Sequence, residues 1–263
     1  MKQALATTDI HIGCAGWNLP RDAWPSFPAH GSHLERYAAR LNAAEINSSF
    51  YRPHQPQTYA RWAESVPADF RFSVKLPKTI THEKRLQDCE SLLGGFLAQV
   101  AGLGTRLGCL LVQLPPSLAF DDMASRSFLE TLRNAHDGPV ALEARHKSWF
   151  SEEVSQHLAA HRVARVLADP VRFDAGRWPG GDPHLVYVRL HGSPRMYYSA
   201  YSQTVLDALA IRLQLAAASD AAVWCIFDNT ASGAATSNAL YVAQAIGELQ
   251  QDITSKSKLK ERT

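Results

Sequence analysis

Apolar and polar positions fall into alternating blocks along this chain. Short runs rich in branched side chains occupy residues 9–15, 41–47, 71–75, 108–114, 140–145, 164–169, 185–191 and 223–228. Their length and composition predict β-strands. Between them, apolar residues recur three or four apart, which predicts helices over 33–40, 57–66, 84–102, 122–135, 149–161, 202–218 and 234–250. In the 84–102 helix the buried stripe reads as Leu92, Phe96 and Val100, and Asp121 and Ser202 read as N-caps of later helices. Residues 170–184 hold three prolines and three glycines without a helical period, so a long irregular loop follows the sixth strand.

Strands that alternate with helices and are rich in Val, Ile and Leu predict a parallel sheet covered on both faces. Eight of them in about 250 residues fit an α/β fold of one kind, a single (β/α)8 barrel of the TIM type. The barrel is expected to take up residues 1–250, and the basic, polar end 251–263 to be a disordered tail. An open doubly wound sheet would call for a G-x-G-x-x-G turn after an early strand. The first strand instead ends in GCAGW, whose glycines do not have that spacing.

Composition narrows the partners. The chain is 46% hydrophobic, enough for a full core, and its 27 Lys and Arg against 25 Asp and Glu leave +2. That balance disfavours a nucleic-acid binder held by bulk charge. No apolar run approaches the ~18 residues of a membrane helix, and the start, MKQALATTDIHIG, has no apolar signal core. A cytoplasmic protein without a membrane partner is therefore expected. Cys14, Cys89, Cys109 and Cys225 form no C-x-x-C pair and read as buried free thiols, with Cys14 a minor candidate nucleophile at the end of the first strand.

In a barrel, chemistry belongs to the C-terminal ends of the strands. Those positions carry Trp17 just past strand one, Glu45 and Asn47 on two, Lys75 on three and Gln113 on four. They continue with Glu143 and Arg145 on five, Asp169 on six, Arg189 and His191 on seven, and Asp228 and Asn229 on eight. Alternation along a strand puts Ala43, Glu45 and Asn47 on one face, as it does Glu143 with Arg145 and Arg189 with His191. Three carboxylates (Glu45, Glu143, Asp228) thus face three cations (Lys75, Arg145, Arg189). Such a set can be a self-neutralising lattice or a site.

The runs INSSFYRP, RFSVKLPKTITHEKRL, LVQLPPSL, LEARHKSW, RLHG and FDNTASGAATSNA resemble the DUF72 family, whose bacterial members include the YecE-like proteins. The resemblance covers roughly residues 9–250 in order. It implies a TIM-type barrel and an uncharacterised function. Position by position it carries over Glu45, Asn47, Tyr51, Lys75, His82, Gln113, Glu143, Arg145, His191 and Asn229. The chain departs from the pattern at Asp228, where the family often reads Asn-Asn.

Three functions fit these residues. In the first, a cofactor-free enzyme acts on a small phosphate- or carboxylate-bearing substrate. Glu45, Lys75 and Glu143 do acid–base work. Trp17, Asn47, Tyr51, Gln113, Arg145, Arg189, His191 and Asn229 bind the substrate, and the small residues Ser232 and Gly233 let backbone N–H groups approach an anion. In the second, Glu143, Asp169, His191 and Asp228 hold a metal in an isomerase- or endonuclease-like barrel, against which Arg145 and Arg189 count as competing cations. In the third, loop aromatics such as Tyr197, Tyr198 and Tyr201 make the mouth a non-catalytic binder of sugars or nucleic acid.

Overall fold

The computed structural model describes residues 10–260, with side chains for 10–251. Residues 1–9, most of the segment read for a signal, and residues 261–263 lie outside the described residues. The strands are β1 (Ile10–Ala15), β2 (Ala43–Ile46), β3 (Arg71–Lys75), β4 (Leu107–Gln113), β5 (Val140–Glu143), β6 (Val163–Arg165), β7 (Leu167–Asp169), β8 (Gly180–Gly181), β9 (Leu185–Leu190) and β10 (Ala222–Phe227). They form one sheet in the order β7-β9-β10-β1-β2-β3-β4-β5-β6-β8. Every pairing is parallel except that of β8 with β6.

The two ends of that order meet through the chain itself. The sixth predicted strand is split at Val166: its lower half, β6, pairs with β5, and its upper half, β7, pairs with β9. Val166 N still donates to Leu142 O at 2.9 Å, and one residue later Leu167 is in register with Val188. One bent strand therefore closes the sheet. With β6 and β7 as a single stave and β8 as a short appendage, the (β/α)8 TIM-type barrel has its eight staves.

The helices are α1 (His33–Ala38), α2 (Ser48–Tyr51), α3 (Pro56–Glu64), α4 (Glu90–Val100), α5 (Asp122–Ala135), α6 (Glu152–Ala160), α7 (Gln203–Ala217) and α8 (Ala234–Lys260). Asp121 caps α5, its carboxylate accepting from Ala124 N at 2.8 Å. Ser202 holds the N-cap position of α7 but makes no side-chain capping bond. The predicted 84–102 helix begins only at Glu90, after a π-helical turn over Thr79–Glu83. Its buried stripe is Leu93, Phe96 and Val100, and Leu92 is exposed. A spacing of three then four places these side chains on one face, so Phe96 and Val100 lie where expected and Leu93 takes the place of Leu92. The last helix runs past 250 to Lys260, and residues 251–260, read as tail, lie within it.

Strand alternation sorts the core into two layers. Ile12, Ala44, Ile46, Phe72, Val74, Val112 and Phe227 face the helices. Ala43, Cys109, Leu111, Ala141, Ala164, Tyr187 and Trp224 fill the barrel. Each buried branched side chain contributes about 1.5–3 kcal/mol, so a strand that slipped by one residue would lose both layers at once. That penalty fixes which polar residues face the axis above the apolar filling.

Candidate functional site

The centre of the mouth is Arg189, on β9, whose side chain is fully buried. Its Nε and Nη2 donate to the two oxygens of Glu45, at 3.0 and 2.6 Å. Nη2 also donates to Asp228 Oδ2 at 3.1 Å, and Nη1 makes a short contact to Glu143 Oε2. The planar guanidinium suits this forked arrangement. Below it, Tyr187 Oη lies 2.9 Å from Glu45 Oε2 and 2.8 Å from Ser73 Oγ, donating to the carboxylate and accepting from the serine. Tyr187 escaped the sequence reading, although it stands two residues before Arg189 and so on the same face of one strand.

Glu143, at the tip of β5, is held just as fully. Its Oε1 accepts from Arg145 Nε at 2.9 Å and from Gln113 Nε2 at 3.2 Å, and Arg145 Nη2 lies 2.9 Å away in the same ion pair. Burial alone would raise its pKa, but Arg189, His191 and Arg145 hold it well below the usual carboxylate range. Arg189 is in turn held well above its usual value by Glu45, Glu143 and Asp228, which outweigh the effect of burial. Glu143 is therefore held in its ionised form. Glu45 has no exposed surface and both of its oxygens accept from Arg189. Both residues expected to do acid–base work thus bind Arg189: the sequence could show that charges meet, but not that one arginine would engage them both.

Lys75 is different. It ends β3, is 8% exposed, and has no carboxylate within ion-pair distance among the described residues. Its Nζ instead stands 4.1 Å from the centroid of the Phe50 ring, presented by α2. Burial, with Arg189 adding repulsion, lowers its pKa from 10.5 to about 8. His82 lies edge-on to Phe50 at 5.0 Å, and burial together with Lys75 and Arg145 lowers its pKa. The π-helical turn thus brings His82 to the Lys75 corner. Its neighbour Arg85 instead bonds Ser117 at the surface.

His191, one residue past β9, forms a dyad with Asp228, its Nδ1 2.9 Å from Asp228 Oδ2. Its Nε2 is buried and lies 3.3 Å from Glu143 Oε1 without the alignment of a hydrogen bond. Burial opposes the charged ring, but Asp228 and Glu143 together raise its pKa. Gly192 then turns the chain at φ +94°, and a Cβ there would meet Ser199 O at 2.9 Å. The turn leads to Tyr197, a non-glycine residue at φ 68° whose ring lies edge-on to His191 at 5.8 Å. A cleft of about 410 Å³, open to solvent, adjoins this corner between Arg145, His191, Phe150 and Met196.

Other expected site residues lie elsewhere or are spent. Trp17 packs edge-on against Trp62 and Phe72 in the helix-facing layer. Tyr51 is 73% exposed, outside Phe50. Asn47 heads α2, leaving the strand, and its buried Oδ1 has no hydrogen-bond partner among the described residues. Asn229 Nδ2 donates to Ser199 O and Asn238 Oδ1, and Ser232 Oγ donates to Tyr198 O at 2.5 Å. With Gly233 at φ +81°, these residues stitch two loops together. Tyr201 is buried and donates to Asp169 Oδ1 at 2.7 Å, so it is an anchor rather than a lid. Of the metal set, Glu143, His191 and Asp228 meet, but with Asp169 they do not form a metal-holding group among the described residues. Arg189 binds two of its members and Tyr201 a third.

All four cysteines are buried and free. Burial raises the Cys14 pKa from 9.0 to about 12, which removes it as a nucleophile. Among the described residues, no helix is long and apolar enough to cross a membrane.

A family model described as "Protein of unknown function DUF72" matches residues 11–262. The UPF0759 protein YecE of Escherichia coli K12 is 31% identical over 186 residues, 68% of this chain. The match spans only 64% of that relative's length. The UPF0759 protein YunF of Bacillus subtilis is 24% identical over 260 residues, covering 87% of this chain and 92% of that one. The crystal structure of a DUF72 family protein from Thermotoga maritima superposes with a TM-score of 0.73 at 25% identity, covering 90% of this chain and 99% of that one. One from Enterococcus faecalis gives 0.74 at 22% identity, covering 91% and 96%.

Proposed function

The chain belongs to the DUF72 family, and from the geometry of its barrel mouth we propose that it is an enzyme acting on a small anionic substrate, with Lys75 as the group that exchanges the proton. The observation that carries this reading is the isolation of Lys75: buried, unpaired, and set against an aromatic ring while its ionic neighbours are matched. At pH 7 an amine with a pKa of about 8 is roughly one part in ten neutral, against roughly one in 2,500 for an ordinary lysine. A base poised near the working pH is what proton abstraction next to a carbonyl or carboxylate group needs. Arg145 and the Nε2 of His191 supply donors for the substrate's anion, and Asp228 fixes the imidazole's orientation.

Competitive acetylation with trace acetic anhydride, read by peptide mass spectrometry, tests the assignment. Lys75 should acetylate with a midpoint near pH 8, while surface lysines titrate near the ordinary ~10.4. Saturating inorganic phosphate should slow Lys75 alone. An ordinary midpoint at Lys75, or indifference to phosphate, would reject the role.

A further inference from the structure

We infer that the cleft beside the mouth receives a short alkyl arm of the substrate, so that the ligand is an anion carrying a tail rather than a bare anion. This rests on the anionic-substrate reading above and adds the other half of the molecule.

The sheet itself makes the cleft. β5 and β6 stay in register only as far as Leu142 and Arg165. After the last bond, from Val166 N to Leu142 O, the chain crosses over to pair with β9. Above that point the fifth and sixth staves part, and the seam between them is not closed by backbone pairing. Its lining is mostly carbon: Val166 and Ala168 from the parted strand, Phe150 from the turn after β5, and Val171 and Met196 from the loops above.

Polar groups are confined to one end and the rim. Arg145 and His191 stand where the seam meets the mouth, and Glu143 beside them is already matched by Arg189 and Arg145. Arg172 stands exposed at the rim and has no ion-pair or hydrogen-bond partner among the described residues. An occupant of the seam therefore meets cations at its head and apolar walls along its length, the pattern that orients small ligands. The room sets the size. The cleft is narrow: its empty space of about 410 Å³ includes open solvent, and the room for the centre of a water-sized sphere is about 20 Å³, on the order of one water. A slender chain can lie along such a seam, whereas a ring system cannot sink into it.

Two homologous series test this, read by titration calorimetry at pH 7: straight-chain carboxylates from acetate to hexanoate, and phosphates from inorganic phosphate to butyl phosphate. Affinity should rise about two- to fourfold for each methylene that enters the seam, the upper value being full burial of the group. It should then level off once the tail outgrows the lining. Whichever series shows the slope identifies the head group. Val171→Asp, at an exposed position, and Met196→Asp, each checked for an unchanged thermal midpoint, should flatten the slope. A flat series with measurable binding would overturn the arm while leaving the anion reading standing, and a slope that survives both variants would place the tail elsewhere and overturn it too. Silence from every member of both series would defeat the anion reading, and the arm with it.

Discussion

Arg189 and Lys75 are both buried cations of one barrel mouth, and they differ in nearly everything that sets their energy. Arg189 donates to three carboxylates and its pKa is pushed up. Lys75 reaches no carboxylate at ion-pair distance, leans on Phe50, and its pKa is pushed down, in part by Arg189. A buried charge that is fully matched can hold strands together. One left unmatched is a cost that a fold retains only where something else needs it. The contrast separates the lattice and site readings of these ionic residues: the lattice lies around Arg189, and the proposed site lies at Lys75.

The largest effect should come from breaking the lattice. Arg189→Met leaves Glu45, without exposed surface, Glu143 and Asp228 short of their common partner. Removing one member of a buried ion pair costs about 3–5 kcal/mol, and here three carboxylates are affected, so the variant should be at or beyond that range in urea unfolding at pH 7. A loss below about 1 kcal/mol, the range of surface pairs, would mean that the hub does not bind the barrel together.

The site end should respond in the opposite direction. The folded-state pKa of Lys75 is about 8 against 10.5 unfolded. Between those values the unfolded chain binds more protons, so stability rises with pH across the window. Below pH 8 the folded protein carries the whole cost of an unwelcome ammonium. Lys75→Met should therefore stabilise the protein at pH 7, by at most about 3.4 kcal/mol from ~1.36 kcal/mol per pKa unit. The gain should shrink from pH 8 and vanish above 10.5. A destabilised K75M, or a gain independent of pH, would remove the contrast with Arg189. A more stable protein that has lost its function is the usual signature of a functional residue held at a cost.

How much of this the sequence could show follows from the range over which each feature is set. Strand positions, the closed barrel and the convergence of Glu45, Lys75, Glu143, Arg145, Arg189 and His191 were legible, because period-two alternation and strand ends are local. The split at Val166 was not, because it depends on which neighbour each half of a strand finds. The start of α4 was misread because residues 84–89 are polar enough to extend a helix but form turns in which Arg85, Leu86 and Asp88 take positive φ. The partition of roles was hidden as well. Glu45 and Lys75 both read as charged tips of apolar strands, and only distances show that one faces Arg189 and the other a phenyl ring. Asn229 and Ser232 looked like anion donors for the same reason, since small polar residues after a strand serve loop stitching equally well.

The finest test lies where the two regions touch, at Asp228. It accepts from both Arg189 and His191, and Arg189 and His191 outweigh burial to lower its pKa. Asp228→Asn keeps the shape and gives the Asn-Asn pair that the DUF72 pattern often carries. Glu45 and Glu143 still hold Arg189, so the loss should be only about 1–2 kcal/mol, the scale of a hydrogen bond to a charged group. The pH dependence is the sharper reading. The folded-state pKa of His191 is raised, so its stabilising contribution is complete below the unfolded value of 6.5 and fades as pH climbs through the folded value. In D228N that fading component should shrink, and the imidazole midpoint, followed by NMR, should move down. The Lys75 midpoint should rise or fall far less than that of His191, because Asp228 is the last of the charges acting on Lys75. If the lysine moved as far as the histidine, Lys75 and Arg189 would belong to one coupled network, and the division between lattice and site would not hold.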